Sequence, residues 1–279
     1  MNHSKAMVLF PNAKINIGLN ILRKRADGYH DLETLFYPVG LKDALEFAEN
    51  GKNVVHFNSS GIELDIPPEQ NIILKAYRLL QEKHTLPGLD IHLHKVIPNG
   101  AGLGGGSSDA AFFLKSLNEH FGLEISPDKL KHLAGKLGAD CSFFLENTPC
   151  YATGRGEILT PVDVILKGYH LLLVKPPFGV DTKIAYSAVV PRTFTLDFKE
   201  IITGPVTGWQ DKIKNDFEPF VFAKYPELGV IKGRLTEMGA LYVSMSGSGS
   251  SVYALFSQEP SLNKTGFPPG TYFWQEELI

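Results

Sequence analysis

The sequence predicts a fold of mixed helices and strands, α/β or α+β, and two observations carry that expectation. Stretches that alternate apolar and polar residues are interleaved with stretches of helical spacing. The 279 residues are 43% hydrophobic and 20% charged, enough apolar material for one large core or two smaller ones. No low-complexity tract or internal repeat stands out. Composition turns richer in Pro and Gly around residues 154–180, which predicts a boundary near residue 160 and hence domains 1–160 and 161–279.

The elements can be justified in order. NIILKAYRLLQEKH predicts a helix starting near Asn71. Residues 89–97, LDIHLHKVI, set Leu89, Ile91 and Leu93 against Asp90, His92 and His94, which predicts a half-buried strand in an antiparallel or mixed sheet. A glycine loop follows, and then a helix whose Ala110, Phe113, Leu114, Leu117 and Phe121 share one face. Ser107 or Ser108 is expected to cap it, Asp109 to lie in its first turn and Gly122 to end it. In the next helix Ser126 is the expected cap and Pro127 the first residue, with Leu130, Leu133, Ala134 and Leu137 inward and Gly138 as the stop. Residues 226–238 predict a helix through Leu228, Ile231, Leu235 and Met238, ending at Gly239. YVSM, SGSGSS and VYALF then read as strand, turn and strand.

Several function classes are disfavoured at once. A formal charge of −3 gives no support to a nucleic-acid partner. The two cysteines, Cys141 and Cys150, form neither a CxxC pair nor a disulfide framework, which suits a reduced, cytoplasmic protein. The apolar run within MNHSKAMVLF is too short for a signal peptide, and runs such as YHLLLV fall well short of a membrane span.

PNGAGLGGGSSDAA, residues 98–111, holds five glycines within residues 100–106. Glycine is entropically costly, so this density calls for either a tight turn or a backbone that a ligand must approach closely. Strand, glycine loop and helix in that order place unpaired N–H groups and a positive dipole end at the loop, where a phosphate chain fits. A Walker A loop is excluded because no lysine follows Gly106. Gly100, Gly102 and Gly105 satisfy G-x-G-x-x-G, but a dinucleotide fold wants a continuously apolar strand ahead of it, and this one alternates and ends in Pro98.

PNGAGLGGGSSDAA resembles the phosphate loop of the GHMP kinases. PNAKINIGLNI (11–21) and SGSGSSVYALF (246–256) resemble that superfamily's first and third motifs. RADGYHDLETLF (25–36), LGADCSFF (137–144) and NDFEP (215–219) resemble the branch whose acceptor alcohol carries a cytidine diphosphate. The resemblance runs from about residue 8 to residue 256. It implies a two-domain α+β GHMP kinase fold with the active site in the interdomain cleft, and ATP-dependent phosphorylation of a small-molecule alcohol. It implies ATP as co-substrate with Mg²⁺, and no membrane or nucleic-acid partner.

It also implies roles for particular residues. Asp140 matches the catalytic aspartate and would also touch the acceptor; by itself it reads as a loop carboxylate or helix cap before the apolar Cys141, Phe143 and Phe144. Lys14, otherwise a strand lysine, matches a lysine beside that aspartate, where a cation would keep the carboxylate ionised. Asn16, two residues on along the same strand face, would help hold the acceptor. ATP is expected on Pro98, Asn99, Gly100, Ala101, Gly102 and Leu103, and on Gly104, Gly105, Gly106, Ser107 and Ser108. Asn71 and Lys95 match residues lining the nucleotide pocket, with a helix cap and a solvated strand lysine as alternatives. Asp109 reads as a plain first-turn carboxylate. Tyr29 and His30 match the cytidine-side pair, Tyr186 is placed over the base's other face, and Asp181 and Thr182 line the same pocket. SGSGSS would pack against the phosphate loop; by itself it is a hairpin turn. No spacing of His, Cys and Asp marks a dedicated metal site, so Mg²⁺ is expected to arrive with the nucleotide, where a hydroxyl such as that of Ser107 could contact it.

Overall fold

A computed structural model describes residues 6–64, 66–191 and 197–279; the first half of MNHSKAMVLF lies outside them. Strands β1 (Met7–Leu9), β2 (Asn12–Lys24), β3 (His30–Lys42), β4 (Ala44–Glu49) and β5 (His56–Gly61) lead to helix α1 (Ile72–Gln81) and strand β6 (Leu89–Lys95). Three helices come next, α2 (Gly105–His120), α3 (Pro127–Leu137) and α4 (Cys141–Glu146). Strands β7 (Cys150–Thr153), β8 (Ile158–Pro161) and β9 (His170–Lys175) precede helices α5 (Thr182–Ala188), α6 (Phe198–Ile202), α7 (Glu218–Lys224) and α8 (Pro226–Glu237). Strands β10 (Tyr242–Met245), β11 (Val252–Phe256) and β12 (Tyr272–Glu277) finish the chain.

Contacts divide the chain into two compact units. One holds residues 1–13, 41–99 and 104–147, and the other 14–40, 100–103 and 148–279. In the first, four strands run in the order β1-β4-β6-β5. β6 pairs antiparallel with β4, Phe47 opposite Ile91, and parallel with β5, so the sheet is mixed as its alternation predicts. Leu89, Ile91 and Leu93 are buried while Asp90, His92 and His94 face solvent. Phe47 meets Phe113 of α2 edge to face at 5.4 Å, fixing sheet to helix.

Helix starts follow local chemistry, with one correction. Asn71 caps α1 by accepting the N–H groups of Ile73 and Leu74. Pro127 opens α3 after Ser126, although the Ser126 hydroxyl makes no cap bond. Leu130 and Ala134 are buried, whereas Leu133 and Leu137 are only half-buried. The expected serine cap of α2 is not found. That helix begins at Gly105, its cap position is Gly104 with φ +71°, and no side chain caps it. Ser107 and Ser108 therefore lie inside the helix, and Asp109 lies beyond its first turn.

The second unit carries two sheets, β2-β3-β7-β8 and β10-β11-β9-β12. The predicted strand, turn and strand appear as antiparallel β10 and β11, Val243 opposite Ala254. Helix α8 sets Leu228, Ile231 and Leu235 into the cluster formed by Val243, Val252 and Ala254. Strand β12 pairs antiparallel with β9 and gives the segment after residue 257 a place in the sheet. Among the described residues no helix is long and apolar enough to cross a membrane.

Candidate active site

The first unit holds the start of α2 with Gly104 ahead of it, while residues 100–103 belong to the second. Gly100, Gly102 and Gly104 all have φ between +58° and +75°, a region L side chains adopt at a cost, so the loop preceding the helix requires glycine. The helix mouth lacks a side-chain cap, and Ser108 in the opening turns has a buried Oγ with no hydrogen-bond partner. A Cβ on Gly100 would meet nothing within 4 Å. Uncapped amides and an unsatisfied hydroxyl at the start of α2 fit a bound polyphosphate.

Asp140 stands at the cap position of α4, yet its side chain does not cap that helix. It is half-buried and immediately precedes Cys141, whose thiol is hydrogen-bonded to Ser107. Burial pushes that thiol up to about 12, with the Ser107 bond pulling the other way and the charge of Asp140 adding to the rise. Ser107 of α2 is thus bonded to the residue that follows Asp140 in the chain.

Lys95 is neither solvated nor open at the surface. Its ammonium is 2% exposed and ion-pairs with Asp43 and, at 3.1 Å, with Asp109. Asp109, expected as a plain first-turn carboxylate, lies beyond the first turn and is 2% exposed. α2 starts earlier than a serine cap would set it, and Asp109 accepts from the strand lysine Lys95. Asn71, 4% exposed, is committed to its cap. Asn99 donates to the Glu63 carbonyl at 3.0 Å.

The second unit holds the other candidates. Lys14 and Asn16 do share a strand face: Lys14 Nζ donates to Asn16 Oδ1 and, at 3.2 Å, to the Gly102 carbonyl, and it lies 5.0 Å from the Phe36 ring centre. Asn16 Nδ2 donates to Thr34, and its backbone N–H to Ser246 Oγ. Ser246 Oγ in turn donates to the Gly102 carbonyl at 2.8 Å, and the Ser251 N–H to that of Ala101. A Cβ on Gly102 would stand 1.9 Å from the Ser246 carbonyl oxygen. The SGSGSS turn therefore packs on residues 101–102, as its resemblance implied.

The rings of His30 and Tyr186 are tilted by 30° with centres 5.4 Å apart, and Tyr186 meets Phe217 edge on at 4.8 Å. A third ring does not fit between His30 and Tyr186, so a base would stack on an outer face. Burial, then the charge of Lys24, lowers the His30 pKa and keeps its ring neutral at pH 7. Tyr29 is 56% exposed, with the Arg155 guanidinium 4.8 Å from its ring centre. Asp181 caps α5 through the Lys183 N–H, and Thr182 Oγ1 is hydrogen-bonded to Ser248 Oγ at 2.8 Å.

Three residues had no assigned task in the sequence. Asn215 Nδ2 donates to the carbonyls of Met245 and Gly247, both at 2.8 Å, and so holds the start of the SGSGSS turn. Asp216 accepts the Ile21 N–H. Asp43 accepts the N–H groups of Val96 and Ile97 at 2.6 and 2.8 Å. For Asn215 and Asp216 the NDFEP motif is the signal; for Asp43 no local pattern exists.

Residues 71–147 match the model of the GHMP kinases N terminal domain, and residues 198–264 that of the GHMP kinases C terminal domain. The chain is 51% identical over 274 residues to a 4-diphosphocytidyl-2-C-methyl-D-erythritol kinase of Bacteroides fragilis, covering 98% of this chain and 100% of the relative. It is 48% identical over 272 residues to the enzyme of the same name from Parabacteroides distasonis, with 98% and 100% covered. Among solved structures, a 4-(cytidine 5'-diphospho)-2C-methyl-D-erythritol kinase superposes with a TM-score of 0.77 at 36% identity, over 89% of this chain and 90% of that one. The Methanococcus jannaschii mevalonate kinase, at 15% identity and a TM-score of 0.66 over 90% of each chain, shares the fold. The chain belongs to the GHMP kinases, in the 4-diphosphocytidyl-2-C-methyl-D-erythritol kinase family.

Proposed function

We propose that the protein transfers the γ-phosphoryl group of ATP to the 2-hydroxyl of 4-diphosphocytidyl-2-C-methyl-D-erythritol, in the non-mevalonate route to isoprenoid precursors. The observation that carries the chemistry is the uncapped glycine mouth of α2, with Ser107 bonded to the residue that follows Asp140. The acceptor oxygen attacks the γ-phosphorus, ADP leaves, and Asp140 takes the hydroxyl proton. Main-chain N–H groups within residues 99–107 hold the phosphates, with the Ser107 and Ser108 hydroxyls beside them, and Lys14 supplies a cation against the charge of the transferring group. Asn71 and Lys95 flank the nucleotide, Lys95 from beneath the loop. Tyr29, His30 and Tyr186 meet the cytosine ring, with Asn16 and Thr182 on the acceptor side.

Mg²⁺, which bridges and neutralises nucleotide phosphates, enters with ATP in this scheme, and the Ser107 hydroxyl is the side chain that would contact it. A cytoplasmic location fits two buried, unpaired cysteines. A boundary near residue 160 between domains 1–160 and 161–279 fits the gap separating the two family matches.

The test is a phosphoryl-transfer assay with the cytidine diphosphate acceptor and ATP/Mg²⁺. Asp140→Asn and Lys14→Ala should each lower kcat by about 10²–10⁴-fold with ATP binding nearly intact. Turnover like that of the unsubstituted protein in either variant would remove that residue from the mechanism.

A further inference from the structure

The glycine loop leaves β6 at Lys95 and enters α2 at Gly105, and both ends meet one buried cluster. On the strand side, Asp43 Oδ1 accepts the N–H groups of Val96 and Ile97, the last two before Pro98. On the helix side, Asp109 projects back from α2. Lys95 Nζ lies between the carboxylates and is ion-paired with both. All three side chains are at most 2% exposed. A Cβ on Gly105 would sit 2.8 Å from Lys95 Nζ and 2.9 Å from Ile97, so the cluster also dictates the first residue of the helix.

We propose that Asp43, Lys95 and Asp109 are positioning residues that clamp the two ends of the phosphate loop, Lys95 joining the carboxylate that pins the strand to the one that pins the helix. The proposal rests on the kinase function above and goes beyond it, since a 2%-exposed ammonium held by two carboxylates acts on ATP through the main chain it fixes.

The experiment measures KM for ATP and kcat at a single pH, with thermal midpoints alongside. Lys95→Met should raise KM at least tenfold with kcat within threefold, and Asp109→Asn should raise KM at least threefold with kcat within threefold. If Lys95→Met does not fold, Asp109→Asn decides alone. An unchanged KM in folded Lys95→Met, or in Asp109→Asn, would overturn the clamp while leaving the kinase function standing. No ATP turnover by the unsubstituted protein would overturn both.

Discussion

Gly100 and Gly102 have similar backbone angles, φ +58° and +75°, but different surroundings. An alanine at either position must adopt a left-handed conformation, at about 1–2 kcal/mol. At Gly100 nothing lies within 4 Å of the added carbon, so Gly100→Ala should cost about that much and no more. At Gly102 the new Cβ would lie 1.9 Å from the Ser246 carbonyl oxygen, and the backbone has to move. The Gly102 carbonyl then loses the bonds from Ser246 Oγ and Lys14 Nζ. A neutral hydrogen bond contributes about 1 kcal/mol and one to a charged group about 1.5–3, which with the dihedral cost gives about 3.5–6 kcal/mol for Gly102→Ala. Urea unfolding followed by the fluorescence of Trp209, buried beside Tyr242, measures the difference. Equal losses in the two variants, within about 1 kcal/mol, would refute the contact and leave only the dihedral effect.

Two further outcomes follow from buried groups. Asn215→Ala leaves the carbonyls of Met245 and Gly247 without their donor and should cost about 2–4 kcal/mol in the same urea assay. Native protein should resist a disulfide-exchange thiol reagent at pH 8, because Cys141 and Cys150 are 0% and 3% exposed and burial holds the Cys141 thiol near 12. Both thiols should react in denaturant; rapid modification of the native protein would show that this region opens readily.

Local signals in the sequence were sound wherever one residue decides the structure. Asn71 caps α1, Pro127 opens α3, and the alternation of residues 89–95 puts β6 in a mixed sheet. The start of α2 misleads because serine and aspartate are strong caps in general, while here a left-handed Gly104 does that work without a side chain. The inward turn of Asp109 and the burial of Lys95 depend on Asp43, 52 residues upstream of that lysine, and no spacing rule reaches so far. Asn215 is equally non-local, since its acceptors lie 30 and 32 residues ahead. For the aromatic pair, the sequence names His30 and Tyr186 but not that they rest on each other.

Strand β12 carries a practical consequence. Its pairing covers one flank of β9, whose Leu171, Leu172, Leu173 and Val174 are fully buried. Glu276 also accepts the Gly40 N–H, fastening this last strand to β3. Trimming the chain ahead of Tyr272 would bare a row of unpaired amides and carbonyls along a leucine-rich strand, an invitation for another molecule to add on. Expression designs are best kept intact through Glu277, with any purification handle appended beyond it.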